Sequence, residues 1–333
     1  MTLLPLSPGP APVELGPFQT EGGGHLPRLR VAYRRDGPPD APAILVVHAL
    51  TGSADAAGDW WAPLIGPGRA FDTDRHQVIC ANLLGSCYWT TGPLDVSPFP
   101  AITPRDQARV QWLLLDALGI ERVELVTGGS LGGMVALEIA LERPRSVGAV
   151  VPIAAPAVIG ALARAWDHIQ LETIALDPRR GLELARQLAL TTYRTEEDFE
   201  TRGTVETYLE HQGRKLTGRF AVESYRVLVE AMDAHDIGRG RAGVVAALCA
   251  LADAGVRLVG VGIEGDILYG PRQVRALVDA ASRAGVDAAY REISSDKGHD
   301  AFLVEWDQLT SIFGGELSNA TPRVASAPER RTA

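Results

Sequence analysis

The stretch Val123-Glu-Leu-Val-Thr-Gly-Gly-Ser-Leu-Gly-Gly-Met134 decides how this chain is built. Val123 to Thr127 is a short apolar run of the kind that fills a buried strand. Gly128-Gly-Ser130-Leu-Gly132 follows, and Met134 to Leu141 opens an apolar, alanine-containing helix. Strand, sharp turn and helix around G-x-S-x-G is the context that lifts the central serine above a sheet. A serine on so tight a turn has strained backbone angles. Side chains two residues to either side would collide, and Gly128 and Gly132 remove that collision. The Ser130 hydroxyl then lies beside a helix N-terminus, where backbone N–H groups favour developing negative charge. An ordinary capping serine on a glycine-rich turn shares the pattern; the strand before it and the helix after it favour a nucleophile.

Working outward, the chain alternates strands and helices, the pattern of an α/β protein with a mostly parallel sheet and helices on both faces. Met1 to Pro27 reads as a Pro/Gly-rich surface arm. Leu29 to Arg34 alternates as a strand. Ala43 to His48 is almost wholly apolar, as central parallel strands are. It runs into His48-Ala-Leu-Thr-Gly-Ser53, a loop placed to donate half of an oxyanion hole through the N–H of Leu50 or Thr51. Trp60-Trp61 reads as packing. Gln77 to Asn82 is a further strand, and Thr103 to Leu118 a helix with Asp106 in its first turn. Val147 to Ile153 is another apolar strand. From Pro156 to Ala254 the strand signal disappears. Helical segments replace it at about Ala157–Thr173, Gly181–Thr192, Val205–Leu216, Ala221–Ala234 and Ala242–Ala254. The expected division is therefore a core of residues 1–155 and 255–317, with a helical cap at 156–254 over the strand ends and a disordered tail at 318–333. Val256 to Gly262 restores the sheet. Gly270 to Ala284 is a helix, Asp287 to Ile293 a strand and Trp306 to Phe313 a last helix.

Composition narrows the function. With 333 residues, 46% of them apolar, the chain can bury a sizeable core. A net charge of -9 disfavours nucleic acid and anionic membranes as main partners. Three cysteines without a C-x-x-C signal neither a disulfide framework nor a zinc site, so reduced thiols in the cytoplasm and no metal are expected. Cys87 has no basic neighbour and reads as a small packed thiol. No basic n-region precedes a long apolar run at the start, so no signal peptide is expected, and no stretch is long and apolar enough to span a bilayer.

A serine hydroxyl needs a base, and the base needs an orienting acid. In doubly wound enzymes with this turn, the chain order is serine, acid, histidine. The strand after the cap ends in Glu264-Gly-Asp266. Asp266 lies past the glycine, in the loop, and is the better candidate. After the final strand, Ser294-Ser-Asp-Lys-Gly-His299 supplies the one histidine beyond His235. His48 reads as structural. Serine, acid and histidine in this order make an acyl-transfer enzyme, without separating hydrolysis from transfer.

These residues resemble the homoserine O-acetyltransferase family, from about Val13 to Leu317. The segments that carry the resemblance are His48-Ala-Leu-Thr-Gly52, Leu64-Ile-Gly-Pro-Gly-Arg-Ala-Phe-Asp-Thr-Asp74, Ala81-Asn-Leu-Leu-Gly-Ser-Cys87, Thr90-Thr-Gly-Pro93, Gly128-Gly-Ser-Leu-Gly-Gly-Met134, Asp266-Ile-Leu-Tyr269 and Gly298-His-Asp-Ala-Phe-Leu303. The resemblance implies an α/β-hydrolase fold and a triad of Ser130, Asp266 and His299, with Leu50 and Leu131 supplying the oxyanion-hole N–H groups. It implies L-homoserine and acetyl-CoA as substrates and no resident cofactor. It also implies a place in methionine biosynthesis and a homodimer formed through cap helices. Gly181 to Tyr193 resembles the cap element that holds the amino acid, which points to Arg186 for its carboxylate and to Tyr193. Asp300 matches the position that takes the substrate ammonium. Arg219 and Tyr225 are weaker candidates with a structural look. The chain departs from the family in a shortened cap between Asp177 and Gly181, and at Trp89, Val135 and Gly270. A succinyl donor would need a cation or amide for its second carboxylate. No surplus arginine is assignable to it, which favours acetyl over succinyl; serine as acceptor and an esterase or thioesterase are the other readings.

Overall fold

The computed structural model describes residues 12–319. In chain order, β1 (Val13–Gln19) and β2 (His25–Val31) form an antiparallel pair, followed by β3 (Tyr33–Asp36), β4 (Ala43–Val47), the short β5 (Ile65–Gly66) and β6 (Phe71–Asp72), and β7 (Gln77–Ala81). Helix α1 (Pro104–Ala117) leads to β8 (Val123–Gly129), α2 (Leu131–Glu142) and β9 (Val147–Ile153). Helices α3 (Ala161–Leu176), α4 (Pro178–Tyr193), α5 (Glu196–Glu200), α6 (Val205–Thr217), α7 (Val222–Asp233) and α8 (Val244–Ala254) come before β10 (Arg257–Ile263). The chain closes with α9 (Pro271–Arg283), β11 (Asp287–Ile293) and α10 (Trp306–Asn319).

The main sheet has seven strands in the order β11-β10-β9-β8-β4-β7-β3, all parallel except the edge strand β3, which runs antiparallel to β7. β4 and β7 are buried at every residue, β4 as an unbroken apolar run and β7 as an apolar run opened by Gln77. β8 sits between β4 and β9, with Gly128 opposite Val47 and Gly129 opposite Ile153. The loops that leave β4, β8, β10 and β11 therefore gather at the carboxyl ends of the strands, the side on which open parallel sheets build their sites.

The segment expected as a surface arm is instead the β1–β2 hairpin over its described part, with Leu26 and Leu29 fully buried. The single strand expected from Leu29 to Arg34 is broken at Ala32. Its N–H goes to Thr90 Oγ1 at 3.0 Å and its carbonyl accepts from the Asn82 N–H at 2.9 Å. With both groups committed to the neighbouring loop, β2 and β3 join different sheets. The last helix runs past Gly314-Gly315 to Asn319, because Arg257 forms an ion pair with the buried Glu316 of its final turns. Residues 320–333, most of the expected tail, lie outside the described residues.

The cap begins where β9 ends. Asp177 closes α3 and caps α4, its carboxylate accepting from the Arg179 and Arg180 N–H groups. This one-residue junction sets the two helices side by side. α4 also packs on α6, and α3 on α7. The short α5, absent from the sequence reading, is capped by Thr195 and has Asp198 buried among Arg194, Arg202 and Lys297. The fifth expected cap helix, α8, packs on α2 and α9 and so flanks the sheet as the crossover into β10. Cap residues Leu182, Leu216, Phe220, Tyr225 and Leu228 share one apolar cluster with Leu131 and Val135 of α2.

Candidate active site

Ser130 joins β8 to α2 with φ 58° and ψ -125°, a left-handed conformation that costs a non-glycine residue energy. Its side chain makes no capping bond to α2. The two glycines serve the turn more tightly than mutual avoidance alone requires. A Cβ on Gly128 or on Gly132 would overlap the Val47 carbonyl oxygen at the end of β4. The backbone of the turn thus presses on the loop that leaves β4. A Cβ on Gly129 would come within 2.5 Å of the Phe302 ring, so the third glycine is a floor for that side chain.

Asp266 and His299 reach each other from neighbouring strands. Asp266 Oδ1 accepts from the N–H groups of Leu268 at 2.8 Å and Tyr269 at 3.1 Å, while Oδ2 lies 2.7 Å from His299 Nδ1. That pairing puts the proton on Nδ1 of the neutral ring and leaves the Nε2 lone pair as the base. Glu264, the other candidate acid, is exposed and takes the Ser294 hydroxyl at 2.6 Å. His299 Nε2 is buried and, among the described residues, without a hydrogen-bond partner, Ser130 Oγ included. A buried nitrogen left unpaired costs stability, and sites that use a proton are where such groups persist. Burial pulls the imidazole pKa down, but the Asp266 charge, its hydrogen bond and the nearby Asp300 charge outweigh burial and raise it above the ordinary 6.5.

The ring is held on three sides by Tyr193, Tyr269 and Phe302, with ring centroids 5.5, 5.5 and 5.7 Å away. Trp61 fixes the turn behind it, donating from Nε1 to the Phe302 carbonyl at 2.8 Å. Packing is therefore the right reading of Trp60-Trp61, but it omitted the two indole N–H groups. Trp60 Nε1 donates to the Ser53 carbonyl at 3.0 Å, in the opposite loop.

That loop, residues 48–53, is anchored by buried His48. Leu83 N–H donates to His48 Nε2 at 3.0 Å, so Nδ1 carries the proton and donates to the Ala49 carbonyl at 2.7 Å. Burial lowers the His48 pKa to about 4, against the opposing effect of that bond, so it is neutral and structural as expected. Among the described residues, the N–H groups of Leu50 and Leu131 donate to no protein group. Both are available on the segments that meet at Ser130. Cys87 is buried and its thiol pKa is raised by burial, which suits a packed thiol.

In the cap, the Arg186 guanidinium stands over the Tyr193 ring, 5.5 Å from its centroid. Asp300 Oδ2 is taken by Arg194 Nη2 at 2.8 Å, a partner the sequence reading missed. Tyr225 donates to Gln170, which in turn donates to Asp167 at 2.9 Å. Asp167 is buried against Asp233, and burial together with the Asp233 charge raises its pKa to about 8. Among the described residues, Arg186 and Arg219 have no carboxylate partner, Arg186 lying over the Tyr193 ring and Arg219 bonded to Thr51 and Tyr88.

The parallel sheet, the helices on it and the serine at a strand-to-helix turn define an α/β hydrolase, and the family model of the alpha/beta hydrolase fold matches residues 42–305. Over 90% of its length the chain is 44% identical to the homoserine O-acetyltransferase of Thermus thermophilus, and the match covers 89% of that protein. The crystal structure of homoserine O-acetyltransferase from Staphylococcus aureus superposes with a TM-score of 0.83 at 29% identity, covering 96% of this chain and 97% of that one. The structure of esterase E22 superposes at 0.86 with 22% identity, covering 92% and 98%, a likeness of fold. The chain belongs to the homoserine O-acetyltransferase family and is an acyltransferase. No helix among its described residues is long and apolar enough to cross a membrane.

Proposed function

We propose that the protein transfers an acetyl group from acetyl-CoA to the hydroxyl of L-homoserine in two displacements on Ser130. The observation that carries this reading is the buried, unpaired Nε2 of an Asp266-bound imidazole in a family of acyltransferases. His299 Nε2 takes the Ser130 proton as Oγ attacks the thioester carbonyl carbon. The oxyanion is met by the Leu50 and Leu131 N–H groups. The C–S bond breaks, and CoA leaves with the proton from Nε2. Homoserine then gives its hydroxyl proton to Nε2, its oxygen attacks the acyl ester, and Ser130 leaves with that proton. No resident cofactor or metal takes part.

Arg186, free of a carboxylate partner, grips the substrate carboxylate as a fork beside Tyr193. Asp300 receives the ammonium through Oδ1 while Arg194 holds Oδ2. The product is a methionine precursor made in the cytoplasm. The working unit is a homodimer through the cap. Leu162, Ile169 and Leu176 support the dimer, since they recur every seven residues on α3 and are 60%, 50% and 88% exposed.

A substrate matrix tests the reading: acetyl- or succinyl-CoA against homoserine, serine and water, followed by free thiol release. Rapid release with acetyl-CoA and homoserine alone is expected. Equal release with water would make the enzyme a thioesterase, and preference for succinyl-CoA would reassign the donor.

A further inference from the structure

Among the backbone carbonyls of residues 49–53, three are pinned by side-chain donors. His48 holds Ala49, Trp60 holds Ser53, and Arg219 holds Thr51. The first two donors belong to the core. Arg219 alone comes from the cap, at the turn between α6 and α7. Its Nη1 donates to the Thr51 carbonyl at 2.7 Å and to Tyr88 Oη at 3.0 Å, and Nη2 lies 3.4 Å from Thr51 Oγ1. The Tyr88 hydroxyl in turn donates to the Arg219 carbonyl at 3.0 Å, and its ring packs edge-on against Phe220 at 5.6 Å. The result is a closed ring of bonds through cap backbone, phenol and guanidinium, from which the guanidinium reaches out to the loop carbonyl. Its cation faces only neutral acceptors among the described residues, so the bonds that the guanidinium donates carry the strength of charge-assisted ones.

Resting on the acyl-enzyme reading above, we propose that Arg219 and Tyr88 are positioning residues that latch the cap to the oxyanion loop. Arg219 touches neither the reacting carbon nor Ser130. It acts through the Thr51 carbonyl, one residue beyond the Leu50 N–H. A hydrogen-bond donor aimed at an oxyanion is worth roughly 10²–10³ in rate, and a misplacement of about 1 Å costs on the order of 10². Seating the cap and arming the oxyanion hole are thus one event. The same donor serves both displacements, so both should slow together when the latch is cut.

The test uses the full-length protein and reads the two half-reactions separately. One is the burst of free thiol from acetyl-CoA without acceptor, the other the discharge of acetyl-enzyme by homoserine. For Arg219→Ala, both rate constants at saturation should fall about 10²-fold, with half-saturating acetyl-CoA and homoserine unchanged. Millimolar guanidinium should restore part of the loss, and Arg219→Lys, which keeps one donor, should lose less. Tyr88→Phe, which removes both bonds of the phenol hydroxyl and leaves the aromatic packing, should lose about tenfold. Unchanged rate constants in Arg219→Ala would overturn the proposal. So would a change confined to half-saturation, which would make Arg219 a cation that binds the donor. Should Arg219→Ala fail to fold, an unchanged burst in Tyr88→Phe overturns it equally. Ser130→Ala separates the two layers. A thiol burst that survives in that variant removes the acyl-enzyme reading itself, whereas a lost burst there with intact Arg219 variants removes only the latch.

Discussion

The turn that carries Ser130 and the turn that carries His299 are held by opposite means. The first is held by backbone, and missing side chains let β4, β8 and α2 touch at the Val47 carbonyl. The second is held by side chains. Asp266 grips the ring, Trp61 the Phe302 carbonyl behind it, and Arg194 the neighbouring Asp300. One site is therefore broken by adding an atom and the other by taking one away. A strained serine needs rigid surroundings. In the proposed mechanism the base gains and loses a proton twice in each cycle, which calls for partners that tune its charge.

The largest effect should come from deleting a charge on the histidine side. Asp266→Asn keeps the size of the side chain but no longer favours the Nδ1–H tautomer, and the acylation rate should fall about 10⁴-fold with little change in substrate binding. Stopped-flow thiol release checks this, and a loss under tenfold would mean that Asp266 does not orient the base. Next comes the addition on the serine side. Gly132→Ala places a Cβ against the Val47 carbonyl and should destabilise the fold by about 3 kcal/mol, measured by urea unfolding. A fully stable variant would show that the turn is not backbone-limited.

The same contrast explains what the sequence made legible. The residues that form the serine turn lie within twelve consecutive positions, Val123 to Met134, and glycine spacing exposes them, although the Val47 carbonyl they clear lies far away in sequence. Asp266 and His299 could be found by chain order, since each follows its strand. Their supports could not. Trp61 meets Phe302 across 241 positions, and Arg219 meets Thr51 across 168, and such side-chain-to-backbone bonds leave no periodicity. The Gly314-Gly315 pair reads as a helix stop by local propensity, whereas a distant ion pair from Arg257 carries α10 beyond it. The hairpin at the start was hidden for a related reason. Its prolines and glycines read as irregular chain, while its buried leucines are explained only by the helix and loop they cover.

Smaller effects sharpen the comparison. Trp61→Phe keeps the ring but removes the N–H that holds the Phe302 carbonyl. A buried acceptor left unpaired costs roughly 1–3 kcal/mol, and the acylation rate should fall about tenfold. A stable variant with unaltered rate would mean that the His299 turn holds itself. The smallest expected change is in pH dependence. The base works only when neutral, so acylation should rise with pH through an apparent pKa above the ordinary imidazole value of 6.5. Asp300→Asn removes one of the negative charges that raise it, and the acid limb should move to lower pH in the pH–rate profile of the thiol burst. An unmoved limb would remove Asp300 from the electrostatics of the base.

The most direct test of the central claim is intact and peptide mass spectrometry of the protein after mixing with acetyl-CoA alone. The account predicts one acetyl group per chain, located on Ser130, that homoserine discharges as its O-acetyl ester and that Ser130→Ala never acquires. Full turnover with no adduct on Ser130, or with the acetyl group carried by Cys87 instead, would contradict it.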